Sequence, residues 1–102
     1  LGGAIATLFS PIVAANDYWA ARILSVLRRK GIRVPDDVAV VGQSDTELAR
    51  LTNPQLTTLD ERNDIVVEAM LELLLKQLNG ASKRAVPKHV VVKPRLVVRE
   101  ST

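Results

Sequence analysis

The chain has 102 residues, of which 47% are apolar, with a formal charge of +3, one histidine and no cysteine. That size and apolar content fit one ordinary globular domain and exclude a disordered polypeptide. The missing cysteines exclude a disulfide framework and a thiolate metal site, and the modest, scattered positive charge makes no case for nucleic acid.

The longest uncharged stretch, Leu1 to Asn16, is too short to span a bilayer and is interrupted by Gly2, Gly3 and Pro11. A signal-peptide core is a competing reading, but no basic leader accompanies it. The segment FSPIVAAND (Phe9 to Asp17) instead predicts an apolar strand that ends in polar residues at the start of a helix. Asn16 or Asp17 can cap that helix, expected from Tyr18 to Lys30, with Ala20, Ile23, Leu24 and Leu27 on one face. Gly31 closes it in the left-handed conformation. Arg28, Arg29, Lys30 and Arg33 form the densest basic cluster, and cations in a last helical turn complement the carbonyl end of the dipole without any nucleic acid.

Pro35, Asp36 and Asp37 make a turn, and Val38 to Val41 is a continuous apolar run bounded by Gly42, the pattern of a buried strand. Strand, helix and strand together have the crossover length of a right-handed parallel unit. Thr46 to Leu51 predicts a short helix, stopped by Asn53 and Pro54 ahead of an extended Leu56 to Leu59. A long helix begins at Asn63 or Asp64 and closes at Gly80, with Val66, Met70, Leu73, Leu74 and Leu78 on one face and Glu72 paired with Lys76. Ile65, Val67, Leu71 and Leu75 widen its apolar surface, so it expects neighbours on two sides. Gly80 to Lys88 reads as a polar loop, and His89 to Glu100 as a strand pair or one strand kinked at Pro94.

Two strands thus bring polar tips to one edge, where open α/β sheets place ligands. Asn16 can serve there as a helix cap or as a donor and acceptor for ligand hydroxyls. His89 has no second histidine or cysteine to make a metal site, and no serine is paired with a base. Neither a metal, a cofactor nor an enzymatic activity is expected.

Five segments in this order, VAAND (Val13 to Asp17), GIRVPDDVAVVG (Gly31 to Gly42), PQLTTL (Pro54 to Leu59), the leucine-rich helix and LVVREST (Leu96 to Thr102), resemble the lactose-repressor (LacI/GalR) family of bacterial transcription regulators. The resemblance implies an α/β, parallel-sheet, periplasmic-binding-protein-like (type I) sensor fold, of which this chain is an incomplete fragment. Residues 1–55 and 89–102 then fall mainly in a C-terminal lobe, 56–62 form a hinge crossing, and the 63–80 helix packs on an N-terminal lobe. The DNA-binding headpiece is absent, and operator DNA is held through that N-terminal helix-turn-helix.

By the same resemblance, Asn16, Ser44 and Glu61 bind a small-molecule effector, sugar or nucleoside-like, with a solvated hinge charge the competing and favoured reading for Glu61, while Asp17 and Asp45 are structural caps beside the cleft. Tyr18, Trp19, Arg22, Glu47, Leu48 and Leu51 lie in a homodimer interface, although core packing is an equal reading for Trp19. The family strand ends in Gly, Phe or Tyr, Asp, Asp, whereas this chain has Gly42, Gln43, Ser44, Asp45. A hydroxyl replaces a carboxylate at the ligand-facing place, which points to an unusual effector or to a member whose ligand response has drifted. The implied protein is a cytoplasmic regulator with no membrane partner. The alternative with the same fold is a periplasmic sugar-binding protein of a transport system.

Overall fold

The computed structural model describes residues 11–80 and 89–102, so the start of the FSPIVAAND strand and the 81–88 part of the polar loop lie outside the described residues. In chain order the elements are β1 (Ile12–Val13), α1 (Asp17–Arg29), β2 (Val40–Gln43), α2 (Leu48–Leu51), β3 (Thr57–Asp60), α3 (Asn63–Leu78) and β4 (Arg95–Val97). The chain forms two compact units, which divide at Asp60/Glu61 and again at Pro94/Arg95.

The first unit holds a four-stranded sheet in the order β1-β2-β3-β4. The first three strands are parallel, with Ile12 opposite Val40 and Val41 opposite Thr57, and β4 closes the edge antiparallel, with Thr58 opposite Val97. Helix α1 lies on β2 and against α2. The expected apolar face does face inward: Ala20 and Leu24 are buried with Ala14, Val40, Ala49 and Leu56, and Ile23 and Leu27 pack against them. Alanines at 20 and 49 have no atoms beyond Cβ, which lets the two helices approach the sheet closely. At the far end of α1 the Gly31 N–H donates to the Arg28 carbonyl and the Ile32 N–H to Leu27, and Gly31 has φ +75°. That pair of bonds is a Schellman ending, and the left-handed residue it requires is the expected glycine.

Strand β2 starts two residues later than the apolar run predicts because the N–H groups of Asp37 and Val38 both donate to the Arg33 carbonyl, which holds the chain in a turn. Gly42 lies inside the strand instead of ending it. Leu56, Thr57 and Thr58 are all fully buried. The stretch expected as a hinge crossing at 56–62 begins as the inner strand β3, and the boundary between the two units falls within it, at Asp60/Glu61. The strand expected over His89 to Glu100 reduces to β4, directly after Pro94, which has no N–H to donate to a ladder. Beyond it the tail turns inward: buried Ser101 donates from its hydroxyl to the Val40 carbonyl, accepts from the Thr57 N–H at 2.8 Å, and accepts the Val40 N–H on its own carbonyl at 3.0 Å. It ties together the first residues of β2 and β3.

The Arg33–Asp37 turn titrates. The Asp37 carboxylate is buried and accepts from the Arg33 guanidinium at 3.2 Å and from the Arg33 backbone N–H at 2.8 Å. The guanidinium hydrogen bond first, and the backbone bond next, hold the Asp37 carboxyl below the usual carboxylate range. A folded value below the unfolded one stabilises the fold at pH above the unfolded value of about 4 and is lost as pH falls through the depressed folded value. Replacing Asp37 with Asn should lower the denaturant midpoint at neutral pH and flatten its decline below about pH 4. Unfolding curves across pH check this.

The second unit is Glu61–Pro94, with 81–88 outside the described residues. Its helix α3 follows Arg62 in the left-handed conformation (φ +57°) and ends before Gly80 at φ +63°. Residues 89–94 belong to this unit, and 95–102, the larger part of the stretch expected mainly in the C-terminal lobe, to the first: His89, Val90 and Val92 line a hollow with Val66, Ala69, Met70 and Leu73. None of the α3 residues is buried, and Val67, Leu71, Leu74, Leu75 and Leu78 are exposed. Of the two apolar sides the sequence predicts, the described residues cover part of one.

The carboxyl edge of the parallel sheet as candidate functional site

Strands β1 and β2 run side by side and deliver Asn16 and Ser44 beyond their carboxyl ends. Asn16 has extended backbone and its Oδ1 accepts from the Trp19 N–H at 2.9 Å, so it is the cap of α1. The cap uses the oxygen alone. The two N–H bonds of the amide take no partner among the described residues, so capping and ligand contact are compatible for this side chain.

Asp17, expected as a cap, has another task. It is the first helical residue and fully buried, and its Oδ2 accepts from the Thr46 N–H at 2.6 Å and the Thr46 hydroxyl at 2.9 Å. Its Oδ1 accepts from the Thr58 hydroxyl at 2.6 Å. One carboxylate thus joins the start of α1 to the loop after β2 and to the middle of β3. A buried carboxylate is tolerable only when its lone pairs are used in this way. Gly42 makes room for it: a Cβ there would stand 2.3 Å from Asp17 Oδ1 and 2.8 Å from Leu56 Cδ2.

The loop after β2 is strained. Ser44 has φ +96° and Asp45 φ +45°, consecutive left-handed values on residues that carry a Cβ. Such conformations persist only where the surroundings over-determine them, and they gather at functional sites. Here the Ser44 N–H donates to the Leu59 carbonyl at 2.8 Å and the Asp45 N–H to the Thr58 hydroxyl at 3.3 Å. Asp45, also expected as a cap, makes no capping bond to α2, whose N-cap is Glu47 with no side-chain hydrogen bond. The reason is a stronger partner: Asp45 Oδ1 takes Arg99 Nη2 at 2.8 Å, with both side chains largely out of solvent, and Arg50 stands 3.8 Å from Oδ2.

Of the three effector candidates, Asn16 and Ser44 come to one sheet edge, on neighbouring strands. Glu61 opens the second unit, one residue past β3. The dimer candidates lie on the exposed side of α1 and α2. Trp19 is 54% exposed, which removes it from the core. Its ring centroid lies 5.4 Å from that of Tyr18, and Arg22 stacks 5.7 Å from the Tyr18 ring while donating to its hydroxyl at 3.2 Å. Trp19 and Arg22 line an apolar hollow of about 290 Å³ with Ile23, Val26 and Leu27. Leu51 and Glu47 are exposed and Leu48 is half-buried. Thr46, Thr58 and Arg99 are the site residues that sequence reasoning missed. The signal for Thr58 is the hydroxyl pair in the apolar PQLTTL segment and that for Arg99 a lone arginine in LVVREST, while Thr46 carries none.

A further hollow of about 300 Å³, lined by Leu24, Arg28, Ile32, Val34, Asn53 and Pro54, lies where β2 and β3 begin. That is the opposite end from the one at which parallel α/β sheets bind ligands. Among the described residues no group of His, Asp and Glu could hold a metal ion, and no helix is long and apolar enough to cross a membrane.

The model of the periplasmic binding protein-like domain matches residues 4–102. The HTH-type transcriptional regulator CelR of Thermobifida fusca is 36% identical over 90 residues, covering 88% of this chain and 26% of its own length. The lactose operon repressor of Rhizobium radiobacter is 33% identical over 90 residues, covering 88% of this chain and 77% of that sequence. Among solved structures, a CelR–cellobiose complex superposes on 95% of this chain and 29% of its own, with a TM-score of 0.84 and 34% identity. A LacI family regulator from Arthrobacter sp. FB24 in complex with lactose does so on 91% of this chain and 35% of its own, at 0.77 and 40%. The chain spans about a quarter of the length of CelR. With the domain model matched over residues 4–102, the lactose operon repressor matched over most of its length and the mostly parallel sheet in place, the chain belongs to the LacI-type family of periplasmic-binding-protein-like transcription regulators.

Proposed function

We propose that this chain supplies one wall of the effector site in a ligand-responsive, LacI-type transcription regulator, and that the wall is the sheet edge carrying Asn16 and Ser44. The observation that carries the reading is the pair of left-handed residues, Ser44 and Asp45, held rigidly beside the Asn16 cap. Relatives named as regulators, with cellobiose or lactose bound in two of the structural neighbours, favour a sugar-type effector and a regulator over the transport alternative. They are not named as enzymes, and nothing at this edge pairs a nucleophile with a base.

In this reading the protein works in the cytoplasm as a homodimer joined through Tyr18, Trp19, Arg22, Glu47, Leu48 and Leu51, and a helix-turn-helix outside this chain holds operator DNA. The two units belong to the two lobes of the sensor, and the chain crosses between them at Asp60/Glu61 and Pro94/Arg95. Glu61, one residue past β3, is the third effector contact in this reading. Effector binding closes the lobes and so alters the pairing of subunits and their hold on DNA.

Ser44 offers an uncharged hydroxyl where a carboxylate would accept two ligand hydroxyls. Replacing Ser44 with Asp should tighten binding of cellobiose or lactose by about tenfold, the worth of one charge-assisted bond over a neutral one. Replacing Asn16 with Ala should weaken binding and also cost about 1 kcal/mol of stability through the lost cap. Calorimetric titration reads the affinities, and saturable binding by the wild type with affinity unmoved in both variants would place the site elsewhere.

A further inference from the structure

The geometry points to Arg99 as the positioning residue of the effector loop: its guanidinium holds Asp45, and through Asp45 the strained backbone of Ser44, in the conformation that meets the ligand. The inference rests on the proposed effector role of this edge. Arg99 is far away in sequence, yet its side chain reaches two places at once. Nη1 donates to the Leu56 carbonyl at 3.0 Å, just before β3, and Nη2 to Asp45 Oδ1 at 2.8 Å. A planar guanidinium with donors on two fixed nitrogens is pre-organised for both bonds, whereas an ammonium must serve both acceptors from one nitrogen on a flexible stem. The side chain is 13% exposed and that of Asp45 14%, so the pair is shielded from solvent screening far more than a surface pair.

The demand on this pair is visible in the backbone. Residue 44 at φ +96° falls outside the compact left-handed well that asparagine or aspartate tolerates, and residue 45 lies in it. Relaxation of either toward the ordinary region would carry the Ser44 hydroxyl away from its place. Thr46 is pinned on the following side by Asp17, and Ser44 on the preceding side by the Leu59 carbonyl. Asp45, between them, is held at its backbone N–H by a 3.3 Å bond to Thr58 and at its side chain by Arg99. The Arg99 side chain is not needed for docking the tail, because its backbone N–H donates to the Thr57 hydroxyl at 2.8 Å and Ser101 makes its own bonds. A rigid loop binds without first paying to become ordered, which is how such a residue acts on affinity without touching ligand.

The test uses the intact protein in wild-type, Arg99→Met, Arg99→Lys, Asp45→Asn and Glu100→Ala forms, titrated with cellobiose and with lactose. Amide hydrogen exchange is followed in the unliganded protein. Glu100 accepts from the Gln55 N–H at 2.8 Å on the same tail and has no tie to residues 44–46, so it controls for simple loosening of the tail. Arg99→Met and Asp45→Asn should each weaken sugar binding tenfold or more and speed exchange at the Ser44 and Asp45 amides. Arg99→Lys should fall between these and the wild type, and Glu100→Ala should match the wild type in both readouts. Wild-type affinity in Arg99→Met and Asp45→Asn, or a loss in Glu100→Ala as large as theirs, overturns the inference. A wild-type protein that binds neither sugar counts against the effector reading. Exchange then decides the positioning alone, and unchanged protection of the two amides in Arg99→Met overturns it.

Discussion

Replacing Gly42 with Ala should destabilise the protein by about 3 kcal/mol, far more than one methyl group costs at an ordinary buried position. The added Cβ would stand 2.3 Å from the Asp17 carboxylate oxygen and 2.8 Å from a Leu56 methyl, and neither can retreat. Leu56 is fully buried at the head of β3, and its N–H is bonded to the Ala49 carbonyl at 2.8 Å. Asp17 is fixed by the helix that starts with it and by its threonine partners. The carboxylate must therefore leave the Thr58 hydroxyl, or β2 must draw away from α1. Either route adds lost hydrogen bonds to the steric cost. Denaturant unfolding of the intact variant measures the loss, and a change below about 0.5 kcal/mol, the range of neutral substitutions, would mean that β2 and α1 are less tightly apposed than described.

The second large effect is at Asp17 itself. Asp17→Ala should cost about 3 kcal/mol, because it removes the common acceptor of the Thr46 N–H, the Thr46 hydroxyl and the Thr58 hydroxyl, and it opens a small cavity. Asp17→Asn should cost roughly half as much. Its oxygen can still accept from Thr46, and its NH2 can donate to the Thr58 hydroxyl, which is able to accept. The two sites are coupled. With the Asp17 carboxylate gone, the clash that Gly42→Ala creates with Oδ1 vanishes, so the double variant should lose at least about 1 kcal/mol less than the sum of the singles. Strict additivity would show that the steric pressure falls on Leu56 alone. Both Asp17 variants should also loosen Thr46 and weaken sugar binding, since the same carboxylate fixes the loop that carries Ser44.

What could be read in advance depended on how local the cause is. Helix α1 was legible from Asn16, the Ala20–Leu24 spacing and Gly31, since capping and amphipathicity act within a few residues. The breadth of the apolar surface on α3 was equally plain, because it needs no partner to be counted. Strand β3 was legible as an extended segment, but the burial of its two threonines was not, because they look polar in sequence. In the fold they are buried, and their hydroxyls serve Asp17, Arg99 and Asp45. The same distance hid the tasks of Asp17 and Asp45. Short-range chemistry makes an aspartate beside a helix start a cap, and nothing nearby reveals that Thr58 and Arg99 compete for them from 41 and 54 residues away. The placement of Asn16 and Ser44 at one sheet edge was therefore legible, while the network that stiffens that edge became visible only with the tertiary fold.

The most direct test is a hydrogen-exchange footprint of the intact protein with and without saturating cellobiose or lactose. The account predicts new protection concentrated in the segments through Asn16 and through Ser44 to Thr46, with the hollow at Arg28 and Pro54 unchanged. Saturable binding that leaves both sheet-edge segments unprotected and instead protects that hollow, or the Trp19 face of α1, would contradict it.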